Sequence, residues 1–305
     1  MRGFYRGVLA VIFTVFMVGA STADAVTYTF ENLDVLGATL TQAYGINNSG
    51  QVVGEFQDSA GFHGFSLTGI NYTTLDVLGS SSTSALGVNS SGLIVGRSED
   101  AAVTRGFLQT GTTYTPLDVL GATATSAQGI NASGQIVGSF QDSGGIHGFL
   151  LTGDTYAPLD VLGATATLAQ GINAGGQIVG SFRDSGGTHG FQLTDSTYTP
   201  LDVLGATATS AQGINASGQI VGSFQDAAGF HGFLLTGDGY ETIDVLGAQD
   251  TFAEGINDLG QIVGFYTADG ITRGFLATPV TPIPLPPTVL LLGSGLLGFG
   301  VLRRK

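Results

Sequence analysis

Aspartate and histidine are the side chains in this chain that could do chemistry, and both recur at a fixed step. Asp34, Asp76, Asp118, Asp160, Asp202 and Asp244 each precede a valine and stand 42 residues apart. Asp58, Asp142, Asp184 and Asp226 keep the same register, and His63, His147, His189 and His231 each follow five residues later. Arg105 and Arg273 occupy the histidine position in two units. Clustered carboxylates are what Ca²⁺ takes as ligands, and Asp142, Asp184 and Asp226 are the candidate calcium residues. Together with Asp58 and the four histidines they form the candidate binding set. Aspartate also hydrogen-bonds the turn in which it sits. That role is the expected one for the Asp-Val set, because a residue repeated in every unit behaves like a turn residue. For the loop aspartates both readings stand.

Catalytic constellations are not recognisable. No EF-hand loop, Gly-Gly-x-Gly-x-Asp repeat or Gly-x-Ser-x-Gly elbow occurs. Histidines in different units of a ring are too far apart to share a metal at ~2 Å, so each is expected to be a hydrogen-bonded residue at a strand end. Glycoside hydrolysis needs two carboxyls ~5–10 Å apart. The acids that differ between units, among them Glu55, Glu99, Asp100, Asp250 and Glu254, suggest no such pair. No catalytic residue is assigned.

The elements that position these residues follow from the period. Gly-Ile/Val-Asn recurs at Gly45, Gly87, Gly129, Gly171, Gly213 and Gly255, and residues 114–142 and 198–226 are identical. A step of this size marks a repeat architecture. Within residues 126–161, four β-compatible runs alternate with turn signals: Ser126–Asn131, Gln135–Phe140, His147–Thr152 and Tyr156–Val161, with Gln141–Ile146 as a loop. Pro158 suits an outer edge, and the small first strand suits a crowded centre. Four strands in about 42 residues is the blade signature of a propeller. A fourth-type strand precedes the first unit, and the last unit lacks one. The expected fold is therefore an all-β, six-bladed propeller closed by the N-terminal strand. An open β-solenoid explains the period equally well but not the missing strand. In the propeller, the Asp and His positions share one face and the asparagines Asn47, Asn89, Asn131, Asn173, Asn215 and Asn257 occupy the other, capping the turns that follow.

The chain has 305 residues, 50 glycines, 43 % apolar residues and no cysteine. Disulfides, thiolate metal sites and cysteine catalysis are excluded. The body between the termini carries 22 carboxylates against four arginines and no lysine, a charge near −18. Such a field repels phosphate backbones and excludes nucleic acid as a partner.

The two ends read as addresses. Arg2 and Arg6, the apolar run Val8–Ala20 and Ala23-Asp24-Ala25 have the order of a secretory signal cleaved after Ala25, leaving residues 26–278 as the body. Residues 279–305 hold a Pro-rich linker, an apolar segment at Thr288–Leu302 expected to form a helix, and the tail Arg303-Arg304-Lys305. Fifteen apolar residues are marginal for a span, and the basic tail would stay cytoplasmic. This order resembles the PEP-CTERM sorting signal of Gram-negative bacteria, with Pro284-Leu285-Pro286 in place of Pro-Glu-Pro and Pro287 following. The resemblance implies processing by an exosortase near Pro284, Pro286 and Pro287, a membrane attachment before processing, and a host that makes extracellular polysaccharide. Without processing, the segment would be a plain C-terminal anchor.

Gly-Ile-Asn-x-x-Gly-Gln-Ile-Val-Gly followed by His-x-Phe, as in His147-Gly148-Phe149, resembles the extracellular HAF repeats of bacteria, over roughly residues 30–277. The resemblance implies secretion and repetition, and no activity. The expected function is that of a secreted, non-catalytic repeat protein of the cell surface or exopolysaccharide matrix, acting in adhesion or scaffolding. The alternative is an extracellular carbohydrate-active enzyme or lectin using the propeller mouth. An enzyme would need one cluster of residues unlike their counterparts in other units, and the near-identity of units three to five argues against one.

Overall fold

A computed structural model describes residues 27–100 and 103–280. The signal sequence with its cleavage site at Ala25, and the sorting segment with Pro284, Pro286 and Pro287, lie outside the described residues. Every regular element described is a strand, and no helix among the described residues is long and apolar enough to cross a membrane.

The strands form six antiparallel groups of four. In the third, Ala124–Ile130, Ile136–Asp142, Gly145–Thr152 and Thr155–Leu159 pair in sequence order as inner, second, third and outer strands. The hairpin between the second and third strands is tighter than the sequence suggests. Pairing runs to Asp142↔Gly145, leaving only Ser143 and Gly144 as the turn, and Gly145 takes φ 138°, which a side chain would resist. The expected loop at Gln141–Ile146 is therefore mostly strand. Single parallel bridges such as Ile146↔Ala166 join the third strand of one blade to the inner strand of the next.

The sixth blade has Asp250–Ile256, Ile262–Ala268 and Ile271–Pro279, and its outer strand is Tyr28–Asn32, paired from Tyr28↔Pro279 to Asn32↔Phe275. Closure by the N-terminal strand is thus as expected. Leu33 N–H donates to Gly274 O at 2.9 Å, Tyr266 Oη donates to Asn32 Oδ1 at 3.0 Å, and Arg273 lies 3.7 Å from Asp34. All three contacts tie the two ends of the described body together and remove two open sheet edges.

The ring is closed at its axis as well. Each asparagine of the Gly-Ile/Val-Asn motif donates through Nδ2 to the backbone oxygen of the equivalent asparagine one blade on: Asn47 to Asn89, then to Asn131, Asn173, Asn215 and Asn257, and from Asn257 back to Asn47, at 2.9–3.2 Å. Where side-chain bonds to the turn are present, the same residue's Oδ1 accepts from the turn that follows, as Asn131 does from Ser133 N–H and Gln135 N–H. An open solenoid has no such return bond.

Between blades the core is aliphatic and aromatic. Phe65, Phe107, Phe149, Phe191, Phe233 and Phe275 are buried in their own blades. Val95 of blade two packs with Ala127, Ile130 and Phe149 of blade three, and Val137 of blade three packs with Ala169, Ile172 and Phe191 of blade four. Both faces of each sheet are thus covered, which is why the strands are apolar without clean alternation.

Candidate functional site

The acidic face is built from repeated ion pairs. In blades one, three, four and five, the histidine Nδ1 hydrogen-bonds the Asp-Val aspartate of the adjacent outer strand: His63 with Asp76, His147 with Asp160, His189 with Asp202 and His231 with Asp244, at 2.7–3.1 Å. The histidine Nε2 approaches the loop aspartate, Asp58, Asp142, Asp184 or Asp226, at 3.3–3.4 Å. Each ring lies against a phenylalanine of the second strand, as His147 does on Phe140 with centroids 5.2 Å apart. Arg105 takes the same place against Asp118 at 3.0 Å, and Arg273 against Asp34.

This arrangement refines both expectations for the aspartates. The Asp-Val set does not hold its own turn. That turn is held by a threonine hydroxyl, with Val161 N–H donating to Thr167 Oγ1 at 3.1 Å, while the aspartate reaches across to the third strand. The loop aspartates do hold their turns: Asp142 Oδ1 accepts Gly144 N–H at 2.6 Å and Asp226 Oδ1 accepts Ala228 N–H at 2.7 Å. Such bonds favour the ionised form. Asp58 and Asp226 are accordingly held below the usual carboxylate range, first by the N–H of Ala60 or Ala228 and further by the histidine. Asp244, with Asp226 behind it, raises His231 above its ordinary value. Among the described residues no group of three or more His, Asp or Glu side chains is gathered to hold a metal. Asp142, Asp184 and Asp226 each belong to their own loop and their own histidine.

A second site lies on the axis, and it is made by a repeated irregularity. In every blade the register of the inner strand shifts between an alanine and the following axis glycine, as between Ala127 and Gly129. The residue in between is the bulge, and a bulge re-aims its side chain. Tyr44, Leu86, Gln128, Gln170, Gln212 and Glu254 are thereby turned to the centre, where they line a cavity of about 250 Å³ together with Arg97 and Phe265. The bulge needs glycine opposite it. A Cβ on Gly138 would stand 2.0 Å from Ser126 O.

This cavity is where the repeat breaks down. Blades three to five contribute glutamine, and Gln170 and Gln212 hydrogen-bond each other, with Ser210 Oγ donating to Gln170. Blades six, one and two contribute unlike residues. Tyr44 Oη lies 2.8 Å from Glu55 Oε1, and Glu55 also accepts from Ser84 Oγ of the next blade. One blade on, the same two positions hold Arg97 and Ser126, and Arg97 Nε and Ser126 Oγ are buried without a hydrogen-bond partner. Glu254 faces the cavity with no hydrogen bond or ion pair among the described residues, and burial pushes its carboxyl up to about 8. Burial, with Glu55 and Glu254 nearby, pushes the Tyr44 phenol well above its ordinary value. Glu55 and Glu254, which suggest no pair in sequence, thus flank one tyrosine. The signal for this site was the pair of columns in which the units disagree.

A third feature is apolar. The turn between blades has the form Val161-Leu162-Gly163-Ala164, with Ala164 N–H donating to Val161 O at 3.0 Å and Gly163 at φ 86°. Leucine sits at the second turn position, which accepts most residues, yet Leu36, Leu78, Leu120, Leu162, Leu204 and Leu246 all stand there, 100–102 % exposed.

No family model and no curated protein matches the chain. Solved structures do resemble it. A putative TolB from Agrobacterium tumefaciens aligns over 80 % of this chain and 91 % of its own, with 13 % identity and a TM-score of 0.59. TolB from Acinetobacter baumannii aligns over 79 % of this chain and 64 % of its own, with 11 % identity and a TM-score of 0.55. The β-propeller domain of the Trilobed protease from Pyrococcus furiosus, described as having an open velcro topology, aligns over 82 % and 84 %, with 12 % identity and a TM-score of 0.50. Identities this low show the propeller fold alone.

Proposed function

We propose that this is an exported, non-catalytic propeller of a Gram-negative cell surface or exopolysaccharide matrix, acting as a rigid adhesive scaffold. The ring of exposed leucines carries the reading. Single exposed leucines are ordinary on a protein surface, but the turn does not ask for leucine, and six equivalent copies form a closed ring beside the acidic rim. Each copy buries little area. Six presented by one rigid body engage a repetitive surface together, and avidity multiplies weak contacts. The His–Asp and Arg–Asp pairs support a structural role for the rim, since each ties the outer strand of its blade to the third strand. The terminal segments supply the address: a signal removed after Ala25, and an exosortase-type cut near Pro284, Pro286 and Pro287 that frees the body from the membrane.

Replacing Leu120, Leu162 and Leu204 together by serine tests this. The side chains are exposed, so the melting temperature should stay within a few degrees of the parent's, while the fraction of exported protein retained by the cell-surface and matrix layer should fall severalfold. A folded triple variant retained like the parent would overturn the proposal.

A further inference from the structure

We propose that the axial cavity is a binding site for one neutral, polyhydroxylated ring of monosaccharide size, held by Arg97, Gln128 and Glu254. This stands apart from the rim. It rests on a place where six near-copies of a sequence stop copying each other, and on polar groups left without hydrogen bonds there.

Buried polar atoms without partners are rare and ask for an explanation. Here they cluster. Arg97 Nε and Ser126 Oγ, at positions that in the preceding blade pair hold a hydrogen bond between Glu55 and Ser84, have no hydrogen-bond partner, and Arg97 Nε has only a 4.0 Å ion pair with Glu99. Glu254 has neither hydrogen bond nor ion pair among the described residues, and Gln128, unlike Gln170 and Gln212, has no amide partner. All but Ser126 line the same cavity. Arg97 also marks a way in, since its side chain is 42 % exposed while its Nε is covered.

The chemistry of these groups selects the ligand. Arg97 is a donor and takes an acceptor. Gln128 offers a donor and an acceptor. Glu254, held protonated by burial, offers the same. A hydroxyl is both donor and acceptor, so a ring bearing several hydroxyls satisfies every one of them. Among the residues lining the cavity Arg97 carries the fixed charge, and its guanidinium is already paired with Glu99, Nε to Oε1 at 4.0 Å, so neither an anion nor a cation is called for. Phe265 and Leu86 give the apolar faces on which the C–H side of such a ring packs. The volume of about 250 Å³ is below that of pockets for drug-sized ligands and suits a single ring.

Saturation-transfer NMR and titration calorimetry on the folded body decide the matter. The probes are D-glucose, D-galactose and D-mannose, with D-glucuronate and putrescine as charged controls of similar size. At least one neutral hexose should saturate with a Kd of the order of 1 mM, the affinity expected of about a dozen heavy atoms in a preformed site. Arg97→Leu and Glu254→Leu should each weaken it about tenfold or more. Gln128→Ala, whose side chain has no structural partner to lose, should weaken it severalfold without unfolding the protein. The serine substitutions at Leu120, Leu162 and Leu204 should leave it unchanged, which separates this site from the adhesive rim. Comparing the hexose with its methyl glycoside and with a disaccharide shows whether the ring is taken as a free sugar or as a chain end, and either supports the assignment. Saturation by glucuronate or putrescine alone, no saturation by any hexose, or hexose binding unaltered in the folded Gln128→Ala and Glu254→Leu variants would overturn it.

Discussion

Replacing Glu254 by glutamine removes a carboxyl that the native protein holds in its neutral form, and it should change how stability depends on pH. The carboxyl titrates near its ordinary 4.5 in the unfolded chain and at about 8 in the folded one. Between those values the folded state keeps a proton that the unfolded state has released, so stability falls as pH rises through the window. At 1.36 kcal/mol per pKa unit the full shift corresponds to about 5 kcal/mol at most, less whatever water in the adjoining cavity relaxes. Glutamine is nearly isosteric and does not titrate. The other groups at this site, Glu55, Arg97 and Tyr44, are present in both proteins and cancel in the comparison. Urea unfolding of parent and Glu254→Gln should give similar stabilities near pH 4, with the variant gaining steadily and leading by several kcal/mol near pH 9. Curves that stay parallel to within about 0.5 kcal/mol across that range would show that Glu254 is solvated or paired, and the reasoning about an orphaned carboxyl would fail.

Deleting residues 27–35 should strip the outer strand from blade six, expose Phe275 and the edge of Ile271–Pro279, and cost at least about 3 kcal/mol; a shortened protein that melts with the parent would refute closure. His231→Gln should cost more near about pH 5.5 than near about pH 8.5, because a histidine with a raised pKa lends its stability below the unfolded value and loses it as pH passes the folded one; equal costs at both would mean that Asp244 does not hold the charged form. Because each loop aspartate already serves a turn and a histidine, millimolar Ca²⁺ should raise the melting temperature no more than NaCl of matched ionic strength; a specific Ca²⁺ increment, lost on replacing Asp142, Asp184 and Asp226 by Asn, would reveal a cation site on the rim.

The architecture was legible because it is written six times. A 42-residue step, glycines at the turns and a fourth-type strand out of place at the start are local facts, and they lead to closure by Tyr28–Asn32. The pairing of His147 with Asp160 was within reach too, since the 13-residue spacing repeats in four units and recurs with arginine in a fifth. The axial site was harder to see. Alternation along Ala124–Ile130 assigns Gln128 to one face of a sheet, and only the bulge beside Gly129 turns it to the centre. Glu55 meets Ser84 across the blade boundary, 29 residues on, and such a pair emerges only once adjacent sheets are stacked. Repetition points to what the units share, whereas Arg97, Gln128 and Glu254 sit where the units differ.

The closing strand has one more consequence, for how such a chain grows. A gene that gained or lost one 42-residue unit would still begin with a fourth-type strand and still end on an unfinished blade, so the clasp between Tyr28–Asn32 and Ile271–Pro279 is indifferent to the number of blades. What counts to six is the axis. The relay of asparagine amides must return from Asn257 to Asn47, and the axis glycines must meet neighbour to neighbour all the way round, with a Cβ on Gly255 already 3.2 Å from the Gly45 Cα. A seventh copy would widen the hub and stretch every one of those bonds. The ends of the chain therefore permit duplication, the hub censors it, and near-identical blades can be exchanged freely so long as their total is conserved.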